Sequence, residues 1–159
     1  MEVIAVEELI KHLEYNFNSY IQLLNRINRD DLSENSDARA KLISFFSTLT
    51  AVEDEVIEFR LKKIVEEKNP YLPAINPKKL TESYLNQNLS LAKIRQEFLQ
   101  QRKMLLNLVH RIPNEYWNRT GVHASEGHVP FKEFVWRMVK RDKQYLSHLS
   151  QFVAQTAEQ

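Results

Sequence analysis

The last long helical stretch of the sequence, residues 130–155, carries the side chains best placed to do chemistry. At helical spacing, Arg141, Tyr145 and His148 fall on one face at steps of three and four residues. The rest of that face is apolar. Three polar side chains in consecutive turns of an apolar face indicate either a modified site or an unusual piece of packing. The apolar members are Phe134, Met138 and Phe152.

Other catalytic or metal-binding patterns are weaker. His123 and His128 flank a glycine-containing loop, but no third metal ligand lies near them, so caps or surface groups are the favoured interpretation. His12 and His110 have no partner pattern and are predicted at the surface or rim of the fold. The serines lack a nucleophile elbow, no phosphate-binding glycine loop is present, and the chain has no cysteine.

Charge and hydropathy exclude several classes of partner. Lys and Arg number 22 against 21 Asp and Glu, so no overall field attracts nucleic acid or an anionic membrane. The basic run at residues 137–143 has no aromatic platform and indicates one charged helix face. The N-terminal stretch lacks a basic leader, and no run reaches the roughly 18 apolar residues of a membrane span. We therefore expect a cytoplasmic protein with no nucleic-acid or membrane partner.

Four long helices must position these side chains. Apolar residues recur at three- and four-residue steps over most of the chain, and two glycines in 159 residues are few for a sheet protein. This pattern predicts an all-α four-helix bundle in one domain, residues 1–159. The predicted helices are residues 5–28, 38–68, a third that starts between 77 and 89 and ends at 112, and a fourth over 130–155.

The predicted connections between the helices are long. Residues 29–37 are polar and rich in helix-capping types. Residues 69–77, NPYLPAINP, contain three prolines and must be extended. Residues 113–129 hold both glycines, together with Tyr116 and Trp117, which are expected to close one end of the bundle.

The layout resembles the DinB-like four-helix bundles, the superfamily that includes YfiT-type proteins. The resemblance covers about residues 36–150. It begins at SDARAKLISFFSTLTAVEDEVIEFRLKKI and continues through NPYLPAINP and the third helix. It closes with IPNEYWNRTGVH and PFKEFVWRMVKRDKQYLSHL. No single motif is highly specific, so the ordered set carries the resemblance.

The resemblance implies a divalent metal bound by three histidines. One histidine comes from helix two, in a pattern like H-L-x-x-x-E, and two come from helix four, in a pattern like H-D-x-x-H-L. Positions i and i+4 share one helix face, so both imidazoles can reach one ion. A third ligand from a facing helix leaves coordination positions open for water or substrate.

This sequence departs from the implied pattern at every ligand. In the ungapped register Arg141 and Tyr145 take the two histidine positions of helix four, Thr48 takes that of helix two, and Glu53 is retained. The guanidinium has no lone pair to offer a cation, and Thr and neutral Tyr are poor substitutes for imidazole. We therefore expect no metal cofactor. A shifted register would place Gln144 and His148 at these positions, but it needs an insertion.

Two hypotheses follow for this part of the bundle. In the first, Arg141 supplies a fixed positive charge in place of the ion and is held by Glu53 across the bundle. Thr48, Tyr145 and His148 then complete a polar pocket for an anionic or polar ligand. In the second, Arg141 extends to solvent along its aliphatic stem and the site is lost.

The function predicted first is a DinB-like bundle protein that binds a small polar or anionic molecule, with a homodimer implied by the resemblance. The alternatives are a metal-dependent hydrolase or thiol-dependent transferase of the DinB/YfiT type, and a non-catalytic protein-interaction module. The sequence names no substrate.

Overall fold

Four long helices form the bundle that the sequence predicts. The computed structural model describes residues 5–27 and 37–157, so the connection between the first two helices lies outside the described residues. Two short helices and three short strands join the long ones. The helices are α1 (Val6–Arg26), α2 (Asp37–Val56), α3 (Lys62–Glu66), α4 (Pro77–Leu85), α5 (Leu91–Arg111) and α6 (Phe131–Ala157). The strands are β1 (Tyr71–Leu72), β2 (Thr120–His123) and β3 (Gly127–Pro130).

The second predicted helix is interrupted by a π-helical turn. α2 continues through Ile57–Leu61 into α3 without leaving helical backbone. Such a turn rotates the helix face relative to a regular α-helix. Phe59, three residues after Val56, is therefore 53% exposed, while Val56 and Ile57 are both buried. The turn also holds Arg60 against the bundle, where it is buried.

The third predicted helix is in fact two helices. Asn76 caps α4 by accepting a hydrogen bond from the Lys79 amide at 3.2 Å. Ser90 caps α5 by accepting one from the Lys93 amide at 3.1 Å. Between the two helices Asn88 adopts φ +52°, a left-handed conformation that Asn tolerates better than most residues. The Asn76 cap starts the first helix, and the Ser90 cap starts the second just after the left-handed turn at Asn88.

The proline-rich and glycine-containing connections meet in a small sheet that the sequence analysis missed. β1 pairs in parallel with β2, and β2 pairs antiparallel with β3. Leu72 is buried beneath the sheet. Gly121 lies in β2, where an added Cβ would come within 2.8 Å of Leu72 Cγ. Only glycine allows this close approach.

The apolar core consists of two clusters, one toward each end of the bundle. Trp117 is buried in the first cluster, with its ring edge-on to Phe131 at 5.1 Å between centroids. This contact confirms that Trp117 closes the bundle end. The second cluster includes Tyr20, Phe46 and Phe98, which pack as neighbouring aromatic rings. The side chains between the two clusters are polar.

Candidate functional site

Each of the four long helices contributes a polar side chain to a layer between the two apolar clusters. None of these residues is more than 5% exposed. We call this layer the charge cluster. Its members are Asn16 and Tyr20 of α1, Glu53 of α2, Arg102 of α5 and Asp142 of α6.

Helical periodicity places the charged members of the cluster inside the bundle. Arg102 lies four residues after Phe98 and three before Leu105, both of which are buried. Asp142 lies four residues after the buried Met138. Residues three or four apart share a helix face, so each charged side chain takes a place that an apolar residue would otherwise fill.

The guanidinium of Arg102 binds two carboxylates at once. Its Nε donates to Glu53 Oε2 at 2.9 Å, and its Nη2 donates to Glu53 Oε1. Its Nη1 donates to Asp142 Oδ2 at 2.7 Å, and Nη2 also donates to Asp142 Oδ1 at 2.6 Å. Glu53 therefore occupies the Nε–Nη2 edge of the planar guanidinium, and Asp142 occupies the Nη1–Nη2 edge.

Aromatic rings and further donors enclose this ion-paired centre. The rings of Tyr20 and Phe98 lie 5.2 and 5.4 Å from Arg102 Cζ, within the range of cation–π attraction. The Tyr20 hydroxyl donates to Asp142 Oδ1 at 3.0 Å, and Asn16 Nδ2 donates to Asp142 Oδ2 at 3.1 Å. Asp142 thus accepts four hydrogen bonds, which compensate for its burial.

The charge cluster contains two carboxylates and one guanidinium. Burial alone lowers the pKa of Arg102, but the charges of Glu53 and Asp142 outweigh burial and raise that pKa well above its ordinary value. Burial raises the pKa of Glu53 above its ordinary value, and Asp142 adds to the rise, while Arg102 opposes it. Arg102 therefore stays charged, and Glu53 is the member that resists ionisation.

The predicted ion pair between Arg141 and Glu53 does not form, because Glu53 is paired with Arg102. Arg141 is only partly buried and lowers the pKa of Glu53 through longer-range attraction. The core-facing side chain is Asp142, one position along the helix. Phe134 and Met138 of the predicted stripe are buried, but after Met138 the buried stripe of α6 runs one residue, or about 100°, away from the predicted one. Its members include Val135, Met138, Asp142, Leu149 and Val153.

The other predicted pocket residues are not brought together. Thr48 is partly buried, and its hydroxyl donates to the Ser44 carbonyl one turn earlier, at 3.1 Å. Tyr145 packs edge-on against Phe45, with 5.7 Å between ring centroids. His148 is exposed. The predicted polar pocket at mid-bundle is therefore replaced by apolar packing and the charge cluster.

Arg141 instead lines a groove of about 480 Å³ on the side of the bundle. We call it the basic groove, because Arg60, Arg137, Lys140 and Arg141 border it. Its apolar lining is formed by Val56, Ile75 and Phe134.

Two cations of the basic groove are fixed by contacts within the chain. Arg60 donates to the Pro73 carbonyl at 3.0 Å. Arg137 donates to both carboxylate oxygens of Glu126, at 2.9 and 2.6 Å, and to Glu133 at 3.1 Å. Burial lowers the pKa of Arg60, and the positive charges of Arg137 and Arg141 lower it further. The groove therefore concentrates positive charge.

The remaining two cations have no carboxylate partner among the residues that the structure describes. Lys140 Nζ lies over the Trp136 ring, 5.2 Å from its centroid. Arg141 lines the groove beside it along α6. Neither side chain forms a close ion pair in the described part of the chain, although Glu53 attracts Arg141 at longer range.

The residues at the positions implied for a metal do not fit a divalent cation. The Arg141 guanidinium offers no lone pair, and its neighbours in the groove are cations that repel a metal ion. Over residues 5–27 and 37–157, no three His, Asp or Glu side chains converge as a group able to hold a metal. We derive no chemistry from a metal at this position.

The loop histidines act within their own hairpin, as their sequence context indicated. His123 Nδ1 accepts hydrogen bonds from the backbone amides of Ser125 and Glu126, at 3.1 and 3.2 Å. His128 Nδ1 lies 3.0 Å from the Thr120 hydroxyl. These contacts order the turn between β2 and β3.

The fold and the site define an all-α four-helix bundle with an ion-paired centre and a basic groove on its side. YfiT from Bacillus subtilis, described as a probable metal-dependent hydrolase with an unusual four-helix bundle topology, has a similar structure. The TM-score is 0.76 at 12% identity, over 99% of this chain and 92% of YfiT. The chain therefore has the YfiT-like fold that its sequence resembles.

Other comparisons give no further assignment. No protein-family model matches the sequence, and no curated protein matches it. Among the described helices, none combines the length and apolarity needed to cross a membrane.

Proposed function

We propose that this chain is a ligand-binding protein of the YfiT-like fold that works without a divalent metal. In this proposal a small anion binds in the basic groove, with Arg141 as its principal contact. The resemblance implies a metal-binding histidine at position 141. Arginine at that position would convert a site that binds cations into a site that binds anions.

One observation carries the proposal. Arg141 is partly buried beside three other cations, and it has no carboxylate partner in the described part of the chain. Bringing like charges together costs free energy, which an anion bound between them recovers. The fork of N–H donors on arginine suits carboxylate and phosphate oxygens in particular.

A binding experiment tests the proposal. Metal-free protein is titrated with acetate, inorganic phosphate and sulfate at constant ionic strength, and binding is followed by calorimetry and tryptophan fluorescence. Trp136 reports on the groove because Lys140 lies over its ring. We expect at least one anion to bind, and Arg141→Gln to weaken it by about tenfold, as for loss of a charge-assisted hydrogen bond.

The matched control is Lys143→Gln. Lys143 is exposed on the same helix but does not line the basic groove, so its loss changes the net charge equally. We expect Lys143→Gln to leave anion affinity nearly unchanged. Equal losses of anion affinity in the two variants would show that only the net charge matters, and would contradict a binding site at Arg141.

The similarity to YfiT favours one rival, a metal-dependent hydrolase. Elemental analysis of protein purified without chelator separates the two functions. A stoichiometric divalent metal would contradict the metal-free proposal. The proposal requires substoichiometric metal and anion binding that a chelator leaves unchanged.

A further inference from the structure

The lining of the basic groove narrows the class of ligand. We infer that the anion is an organic monoanion: a carboxylate with a short apolar body. The inference rests on the proposed function, because it concerns the same groove.

The charges around the groove set the charge of the ligand. Four cations border it, whereas Glu126 and Glu133 pair with Arg137, and Glu55 acts on Arg60 by electrostatic attraction. Four positive charges and three negative ones leave a surplus of at most one, because Glu53 also attracts Arg141. The charge cluster behind α6 contains two carboxylates and one guanidinium, so it adds no positive charge. A monoanion matches this balance, and a dianion exceeds it.

The positions of the unpaired cations locate the charged end of the ligand. Arg137 already holds two carboxylates, and Arg60 is fixed to the Pro73 carbonyl. The free donors belong to Lys140 and Arg141. Arg137 also shows how a guanidinium of this groove binds a carboxylate, since it donates to both oxygens of Glu126. We therefore place the ligand carboxylate on Arg141, with Lys140 beside it.

The apolar lining locates the other end. The ring of Phe134 lies between Arg60 and Arg137, 5.3 and 5.7 Å from their Cζ atoms. Val56 and Ile75 extend this apolar surface from α2 and from the segment after β1. Phe134 and Val56 are only 2% and 3% exposed, so they form the buried floor of the groove. Ile75 is partly exposed, and an alkyl group attached to the carboxylate would cover it, whereas an inorganic anion would not.

A series of carboxylates of increasing length tests the inference. Full-length protein is titrated with acetate, butyrate and hexanoate at constant ionic strength and about pH 8.5. Methyl phosphate and inorganic phosphate, which are dianions at that pH, serve as the comparison. We expect affinity to rise about fourfold per buried methylene. We also expect hexanoate to bind more tightly than either phosphate compound.

Two substitutions assign the two ends of the ligand. Arg141→Gln should weaken all the carboxylates by a similar factor. Ile75→Ala should flatten the dependence on chain length by weakening hexanoate more than acetate, and its fold is checked by circular dichroism. The length series needs only the unsubstituted protein, so it tests the inference even if a variant does not fold.

The outcomes separate this inference from the proposed function. Equal affinities for acetate and hexanoate would overturn the apolar body while leaving anion binding at Arg141 intact. Tighter binding of the phosphate compounds than of hexanoate would overturn the inference that the ligand is a monoanion. Failure of every anion to bind would overturn the proposed function and this inference together.

Discussion

Arg102 and Asp142 face each other across the bundle as a bidentate pair, with Nη1–Oδ2 and Nη2–Oδ1 distances of 2.7 and 2.6 Å. One residue belongs to α5 and the other to α6, 40 positions apart. A slip of either helix along its axis would break both hydrogen bonds and leave two buried charges unpaired. The pair therefore fixes the register of α5 against α6, as buried polar groups do in some other helical assemblies.

Removing the guanidinium should destabilise the bundle severely. Arg102→Met keeps the length of the side chain but leaves the buried carboxylates of Glu53 and Asp142 without a counter-charge. We expect the free energy of unfolding to fall by about 3–5 kcal/mol, measured by urea denaturation at neutral pH. Lys103→Met, at the exposed neighbouring position, should change it by less than about 0.5 kcal/mol. Similar effects of both substitutions would show that the pairing contributes nothing.

The Tyr20 hydroxyl provides a finer test of the same cluster. Tyr20→Phe removes one donor to the buried Asp142 carboxylate and keeps the ring that packs against Phe98. Hydrogen bonds to charged groups contribute about 1.5–3 kcal/mol, so we expect a loss of that size. Tyr15→Phe makes the same chemical change on the same helix at a side chain that is 70% exposed, and it should be nearly neutral. A neutral Tyr20→Phe would mean that Asp142 is satisfied without this donor.

Glu53 should make stability depend on pH. Its pKa in the folded protein is raised above the ordinary 4.5 by burial, so the folded state keeps this proton to a higher pH than the unfolded state does. The contribution of Glu53 to stability is therefore greatest below pH 4.5 and falls as the pH rises through the folded-state pKa.

The comparison with Glu53→Gln, which cannot ionise, isolates this contribution. The free energies of unfolding of the unsubstituted protein and of the variant are measured by denaturant titration between about pH 4 and 8. We expect the difference, unsubstituted minus variant, to decrease with rising pH. An increase would show that attraction to Arg102 outweighs burial.

Gly121 should not tolerate a side chain. A Cβ at this position would approach Leu72 Cγ at 2.8 Å and Ile64 Cγ1 at 3.3 Å, both in the packed layer under the sheet. We expect Gly121→Ala to lower the free energy of unfolding by about 1–3 kcal/mol, through overpacking, in thermal and urea denaturation. Gly127→Asn is the control, because Gly127 has φ +73° and open space around it, and Asn tolerates this conformation. A smaller loss for Gly121→Ala than for this control would contradict close packing beneath β2.

Much of the fold followed from periodicity. The apolar stripes predicted the long helices, and Trp117 was expected where it closes the bundle end. The division between α4 and α5 was not predicted because it depends on the left-handed backbone at Asn88 and the side-chain cap at Ser90. The small sheet was missed because β1 and β2 are about 50 residues apart and short, so neither gives a strand signal alone.

The candidate site was predicted less completely. The sequence directed attention to Arg141 and Glu53, but it did not identify Arg102. A signal was present, since Arg102 interrupts the apolar spacing between Phe98 and Leu105, as Asp142 does after Met138. Helical spacing tells which residues share a face, but an error of one position turns a side chain by about 100°. That error exchanged Asp142 for Arg141 in the predicted core.

The sequence by itself determined the class of fold and the positions of the long helices. These are properties of local periodicity and residue chemistry. Only the tertiary structure decided that Arg102 is the partner of Glu53 and that Arg141 faces a groove among other cations. Both relationships join residues far apart in the chain, and the packing of whole helices sets which side chains meet.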